Sequence, residues 1–472
     1  MDPTPTKPAD IGVVSSSPAV GPGGAPPPEQ KSRRGSRRRV RVPRGDSPGR
    51  ERFLRVRTVF GRVIARNRIL LLLAVIGPGI ITSNVDNDPG GITTYSLAGS
   101  HYGLGLLWMM IPILIALIII QEMCVRMAIV TGKGLADLIR ENFGIKMTFY
   151  ILIALLVTNM FNTMSEFAGV AAGAELLGLT RYIMVPLGAL AITALILRGN
   201  YKFVERVFLV ACLFYVTYIV SAFLAKPDWG QVAKASVVPH IEPSAGFMVL
   251  AIGLVGTTIA PWMQFYIQAS TVEKSVKKEE LTYSRIDVIA GSFMAVAVAA
   301  FIIITCASTL FKAGIKVQSA SQAAQALAPL AGRHAETLFA LGLLAAGLFS
   351  SGILPLSTAY HVCEGMGWEA GVNHRYGEAK QFYLLYGSII AVGALPILIP
   401  GIPLLKVMYF SQVCNGVLLP FVLLMMLRLV NDKSLMGEHT NGLFLNAVSY
   451  LTVLLVIVLT LTSIILPLFT GG

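Results

Sequence analysis

Charge is scarce in this sequence. Only 13% of its 472 residues are Asp, Glu, Lys or Arg, against roughly 25% in an ordinary globular protein. That shortage argues against a soluble enzyme. The six histidines, His101, His240, His334, His361, His374 and His439, show no metal-ligand spacing. The five cysteines, Cys124, Cys212, Cys306, Cys363 and Cys414, fall in five apolar segments with no CxxC pair. A zinc site or disulfide framework is therefore not expected, and small buried hydrophobe is their default role. Gly132-Lys133-Gly134 lacks the preceding residues a phosphate loop needs. No Ser/His/Asp set or pair of catalytic carboxylates stands out, so neither an enzyme nor a cofactor is expected.

The charge that is present is unevenly placed. Residues 1–68 hold 16 of the 38 Lys/Arg and 5 of the 25 Asp/Glu, a net +11, whereas the other 404 residues carry a net +2. The first segment is rich in Pro, Gly, Ser and Arg and is expected to be a disordered basic cytoplasmic tail, 1–68. Its run from Lys31 to Arg44 could be a nucleic-acid arm. Just before a first membrane span, a positive flank touching anionic lipid is the better reading, and no nucleic-acid partner is expected. No protein partner can be inferred. A cleavable signal peptide does not fit, because the first apolar run begins near residue 69.

Residues 69–472 are expected to be a transmembrane domain. Apolar runs such as Leu104–Ile120, Tyr182–Leu197 and Val288–Leu310 recur along it, many near the 20 or so residues that cross a bilayer. One such run could be a buried core helix, but a long series cannot. Eleven spans are read: 69–100 (broken), 104–129, 148–178, 182–197, 203–225, 246–272 (broken), 286–311, 336–363, 381–399, 403–428 and 442–469. With the N-terminus in the cytoplasm, 15 Lys/Arg of the body fall at inner loops and span ends and 7 at outer ones, as the positive-inside rule requires. A multi-pass protein of the plasma membrane, its C-terminus outside, is the expectation.

Two spans are interrupted. The first reads Gly77-Pro-Gly-Ile-Ile-Thr-Ser-Asn-Val-Asp-Asn-Asp-Pro-Gly-Gly91, with Asp86 and Asp88 inside an apolar stretch. Pro and Gly should break the helix there and leave free carbonyls, which is tolerated only beside protein or a water-filled cavity. The sixth carries Gly253-Leu-Val-Gly-Thr-Thr-Ile-Ala-Pro-Trp262, with Pro261 in mid-span. Interrupted spans at matching places in two halves point to the binding site of a secondary transporter. That site should lie between Asp88 and the break at Thr257–Pro261. A buried Asp is costly unless it meets a cation or partner.

At these residues the chain resembles the NRAMP family of divalent-metal transporters, over about residues 70–470. The family's first-span motif Asp-Pro-Gly-Asn appears as Asp88-Pro89-Gly90-Gly91. Leu106-Leu107-Trp108, the series Gln121, Arg126 and Thr131-Gly132-Lys133, Leu338–Ala345, Ser411-Gln412-Val413 and Leu419-Pro420-Phe421 follow in order. The resemblance implies an all-α membrane protein of LeuT-type fold, about 11 helices, with spans 1–5 and 6–10 as inverted repeats and helices 1 and 6 broken. It also implies a metal site at Asp88, the position of Gly91, the carbonyl of Thr257, the position of Ala260, and Gln412.

The departures from that pattern fall where the family does its chemistry. Gly91 replaces the motif's Asn, Ala260 the Met of Met-Pro-His, and Trp262 its His. Ile267 or Gln268 stands where a second His is expected. In span 3 the Asp-x-x-Glu pair appears as Thr163 and Glu166, and the Arg pair of span 9 is absent. Losing a soft thioether removes a preference for transition metals, and what remains is a wider set of oxygen ligands. Such a site suits Mg²⁺, which keeps several waters when bound. Asp86 could add negative potential, or be only a capped carboxylate. The stripes Asn159, Asn162, Thr163, Glu166 and Ala260, Gln264, Gln268 either wet the path of a hydrated ion or supply interhelical hydrogen bonds. The chain is thus expected to resemble the NRAMP-related magnesium transporters, carrying Mg²⁺ without protons and leaving Mn²⁺ open as a second ion. The alternatives are a proton-coupled Mn²⁺/Fe²⁺ transporter, an amino-acid transporter of the same fold, and a membrane protein that moves nothing.

Overall fold

Helix ends in this chain are set by a few residues that stop or start the ladder, and the computed structural model shows where. It describes residues 87–197, 213–371 and 376–470, all within the unit Arg62–Gly472. The tail 1–68, the first half of span 1 with Asp86, Cys212 and the start of span 5 lie outside the described residues.

Helix α1 runs Pro89–Tyr102 and α2 runs Met110–Thr131, ending on Gly132 in the left-handed region at φ 67°. Helix α3, Leu135–Leu176, contains Gly144 at φ 79° and ψ 167°. A side chain there would be strained, so glycine permits the kink. Helices α4 (Arg181–Leu197), α5 (Leu213–Leu224) and the short α6 (Trp229–Val237) follow. Ser244 caps α7, Ala245–Thr258, and Pro261 opens α8, Pro261–Glu273. The chain continues through α9 (Leu281–Cys306), α10 (Ala335–Met366), α11 (Lys380–Ala394), α12 (Leu404–Val430) and α13 (Leu443–Thr470).

Eight helices among the described residues are long and apolar enough to cross a membrane. Their outer faces show why a bilayer is needed: Leu190, Phe293, Phe421 and Leu454 are exposed, a surface water would not tolerate. Lipid gives no hydrophobic drive between helices, so close packing must hold them together. Helix α3 lies between α10 and α12 and also meets α1, α8 and α11. Small residues mark the crossings. A Cβ on Gly169 of α3 would sit 2.3 Å from the Pro89 ring, and one on Gly347 of α10 would sit 2.7 Å from the Glu166 carbonyl. At one end of the bundle Arg126, almost fully buried, pairs with Glu122 and donates to the His439 carbonyl and the Asn441 side chain. It ties α2 to the connection between α12 and α13. The four described cysteines are free.

Candidate functional site

Asp88 begins a helix. Its carboxylate Oδ1 accepts the Gly91 N–H at 2.5 Å, with Pro89 at the first helical position. Asp at the cap and Pro just inside are both favoured for the same reason: the first N–H groups have no partner within the helix. The described side of this break therefore presents backbone donors. The other side of this break, where a helix C-terminus would leave free carbonyls, lies outside the described residues; at the second break, such carbonyls are left over at the end of α7.

At the second break, α7 stops at Thr258 and α8 starts at Pro261. The helical partner of the Thr257 carbonyl would be the N–H of residue 261, which proline lacks. That oxygen is left for other work, and the Thr257 hydroxyl, also buried, meets no hydrogen-bond partner. Ala260 caps α8 without a side-chain bond, and its carbonyl accepts from Met263 N–H and the Gln264 amide. The N-termini of α1 and α8 carry partial positive charge and the C-terminus of α7 partial negative charge.

Helices α3 and α12 complete the site. Gln412 Nε2 stands 3.5 Å from Asp88 Oδ2. A Cβ on Gly90 would lie 2.0 Å from that nitrogen, so any larger residue there would displace the Gln412 amide. Glu166 of α3 is fully buried, neither of its oxygens meets a donor, and its carboxyl interacts with that of Asp88. Beyond Gln412 a row of side chains continues. Asn415 Nδ2 donates to Gln412 Oε1 at 2.9 Å. Asn415 and Asn162 exchange two bonds of 2.9 and 3.0 Å. Asn159 donates to the Thr358 hydroxyl at 2.9 Å and sits 3.3 Å from His361 Nε2. His361 thus turns to Asn159; the Glu364 carboxylate lies against Gly134.

Asp88, Gly91, Gln412 and Glu166 are brought together, and the break holding Thr257 and Ala260 abuts them through Gly256, whose Cβ would touch the Gln412 carbonyl. Gln264 uses both ends of its amide on protein, and Gln268 its NH₂ only, its buried Oε1 meeting no partner. Cys124 donates to Gln264 Oε1, and Gln268 donates to the Lys133 carbonyl. Sequence reasoning missed Asn415 and Met408. Both lie on Gln412's helical face, three residues after it and four before. The Thr93 hydroxyl donates to the Met408 sulfur at 3.6 Å. Among the described residues no group of three or more His, Cys, Asp or Glu is placed to hold a metal. The donor set is two carboxylates, an amide and backbone carbonyls.

At the end of the bundle where α3 meets α4, a cavity of about 380 Å³ is lined by Glu175, Arg181, Gln318, Ser319, Ser321 and Lys406 among others. Below it, Thr93, Ser96, Ala320, Ala323, Phe339 and Met408 leave a void of only about 10 Å³. The two share Ala320 and Leu405.

The sequence pattern of the family described as "Natural resistance-associated macrophage protein-like" (Nramp) matches residues 79–466. The divalent metal cation transporter MntH of Bacillus subtilis is 27% identical over 405 residues, covering 84% of this chain and 92% of that one. Among solved structures, the manganese transporter of Eremococcus coleocola superposes with a TM-score of 0.68 at 23% identity, covering 84% of this chain and 86% of that one. MhsT, solved with L-phenylalanine, superposes at 0.54 and 16% identity, covering 83% and 97%. The fold is all-helical and of the LeuT type.

Proposed function

The chain belongs to the Nramp family, and from that premise we propose that it is a membrane transporter of divalent metal cations whose main cargo is Mg²⁺, carried partly hydrated and without coupled protons. The single observation that carries the choice of ion is the residue at the second helix break. Ala260 stands beside the free Thr257 carbonyl and offers a methyl group, so the side-chain groups about Asp88 are the carboxylates of Asp88 and Glu166 and the Gln412 amide, with backbone carbonyls and no thioether at the break. Hard oxygen ligands suit Mg²⁺, and soft sulfur favours transition metals. The nearby thioether, Met408, already accepts from Thr93. The membrane potential suffices as the drive: two charges crossing 100 mV gain about 4.6 kcal/mol. The same reading places the chain in the plasma membrane with its N-terminus in the cytoplasm and its basic tail beside anionic lipid.

The test is Mg²⁺ uptake into proteoliposomes that hold a pH dye. Mg²⁺ should enter with no acidification beyond that of protein-free vesicles. No Mg²⁺ entry, or one proton per ion, overturns the proposal. A second reading, proton-coupled transport of Mn²⁺ or Fe²⁺, is favoured by one observation: Asp88 and Glu166 face each other in a buried place. Two such carboxyls can share a proton when the ion leaves. Acidification lost in Glu166→Gln would establish that reading.

Selectivity gives an independent check. Gly91→Asn with Ala260→Met adds an amide oxygen and a thioether at the two altered positions. The preference for Mn²⁺ over Mg²⁺ should rise roughly tenfold in competition uptake, the worth of about 1.4 kcal/mol. An unchanged ratio would count against the ligand assignment.

A further inference from the structure

We propose that Asn415 is a positioning residue that decides which end of the Gln412 amide faces the cation, with Asn162 as its anchor. The inference rests on Gln412 being a ligand and not on which divalent ion is carried.

An amide has an oxygen that attracts cations and an NH₂ that repels them, and hydrogen bonds determine which way it points. Here Asn415 Nδ2 donates to Gln412 Oε1 at 2.9 Å. The Gln412 oxygen is thereby turned away from Asp88, and its NH₂ faces the Asp88 carboxylate at 3.5 Å. In this register the NH₂ and not the oxygen of Gln412 faces Asp88, and the amide cannot ligate a cation there.

To present its oxygen, Gln412 must turn its amide over. Its NH₂ would then face the Asn415 NH₂, two donors with nothing to accept. Asn415 must turn as well, and its double bond with Asn162 requires Asn162 to follow. The pair of amides is equally well satisfied after both have turned. The next step, from Asn162 Nδ2 to Asn159 Oδ1, is 3.5 Å long, too long to hold the row back. Asn159 itself stays anchored on Thr358 and His361. All of these side chains are at most 1% exposed, so water is not at hand to satisfy a half-turned row. Two discrete registers of three amides are therefore available, one with the Gln412 oxygen toward Asp88 and one with its NH₂ there, and the protein moves no net charge between them.

Removing the Asn415 amide should release Gln412 from the register that excludes the cation. The experiment measures KM and Vmax for Mn²⁺ and for Mg²⁺ uptake into proteoliposomes in a double-mutant cycle. Asn415→Leu, close to asparagine in shape, should lower KM about fivefold, the worth of roughly one hydrogen bond, without raising Vmax. Gln412→Leu should raise KM by removing the ligand. Asn415→Leu added to Gln412→Leu should then change KM no further, because there is no amide left to orient. A merely structural role for Asn415 would shift both backgrounds alike, and that result overturns the inference, as does an unchanged or raised KM for Asn415→Leu alone. An unchanged KM for Gln412→Leu removes the ligand reading itself and the inference with it. If Asn415→Leu does not assemble, Asn415→Ser, whose hydroxyl can donate or accept, should lower KM in the same direction, and a raised KM there counts against the proposal equally.

Discussion

Replacing Asp88 by alanine should reduce divalent-cation uptake to the level of protein-free liposomes, a loss of at least about 100-fold given the cost of a divalent charge in a membrane interior without compensating charge. The side chain has two duties, and they can be separated. It caps α1 through the Gly91 N–H, a contribution of about 1 kcal/mol, and it supplies a negative charge where three helix ends meet. Alanine loses both. Asp88→Asn keeps a good cap and loses only the charge, so its melting temperature in detergent should stay close to that of the native protein while its transport is lost as completely as in Asp88→Ala. Glu166 remains in both variants, but it sits in the interior of α3, far from that helix's start and without a donor of its own, and does not replace a ligand at a helix start. Retained flux in Asp88→Asn would show that the charge is dispensable. Uptake of an amino acid that ignores both substitutions would indicate an amino-acid transporter instead.

Gly256→Ala should be nearly as damaging, by a different route. A Cβ there would lie 2.1 Å from the Gln412 carbonyl oxygen and 2.4 Å from the Gly416 nitrogen. Both are backbone atoms, so no side chain can swing aside, and α7 and α12 must be driven apart. Overpacking with flexible neighbours costs about 1–3 kcal/mol, and a backbone clash should exceed the top of that range. Much of the protein should fail to assemble, and the remainder should melt well below the native protein. Gly387→Ala on α11 is the control. A Cβ there meets nothing within 4 Å, and the substitution should be neutral or raise stability by about 0.5–1 kcal/mol through helix propensity. Equal melting temperatures for the two variants would refute the steric account.

Much of this arrangement is legible in the residues themselves. Pro261 marks the second break because proline cannot donate, and the helix stops within three residues of it. Asp88-Pro89 marks the first, and its pattern of cap plus proline specifies a helix start and hence backbone donors on the described side. The third span reads as starting near 148, and Gly144, at φ 79° and ψ 167°, is not helical, so α3 is two helices joined at a kink and the longer one starts just after it. The shorter helix before the kink escapes that reading, although its Leu135, Leu138 and Ile139 are buried. Helix α6 is too short and polar to register as a span. Least legible were the partners of Gln412. Asn162 and Asn415 are 253 residues apart, and no local spacing on either helix says that their amides meet.

The void between Thr93, Ala323, Phe339 and Met408 has a consequence for solvation. At about 10 Å³ it is at the lower limit for holding a single water, and most of its lining is apolar. The Thr93 hydroxyl therefore has a thioether, and not a chain of waters, for its partner.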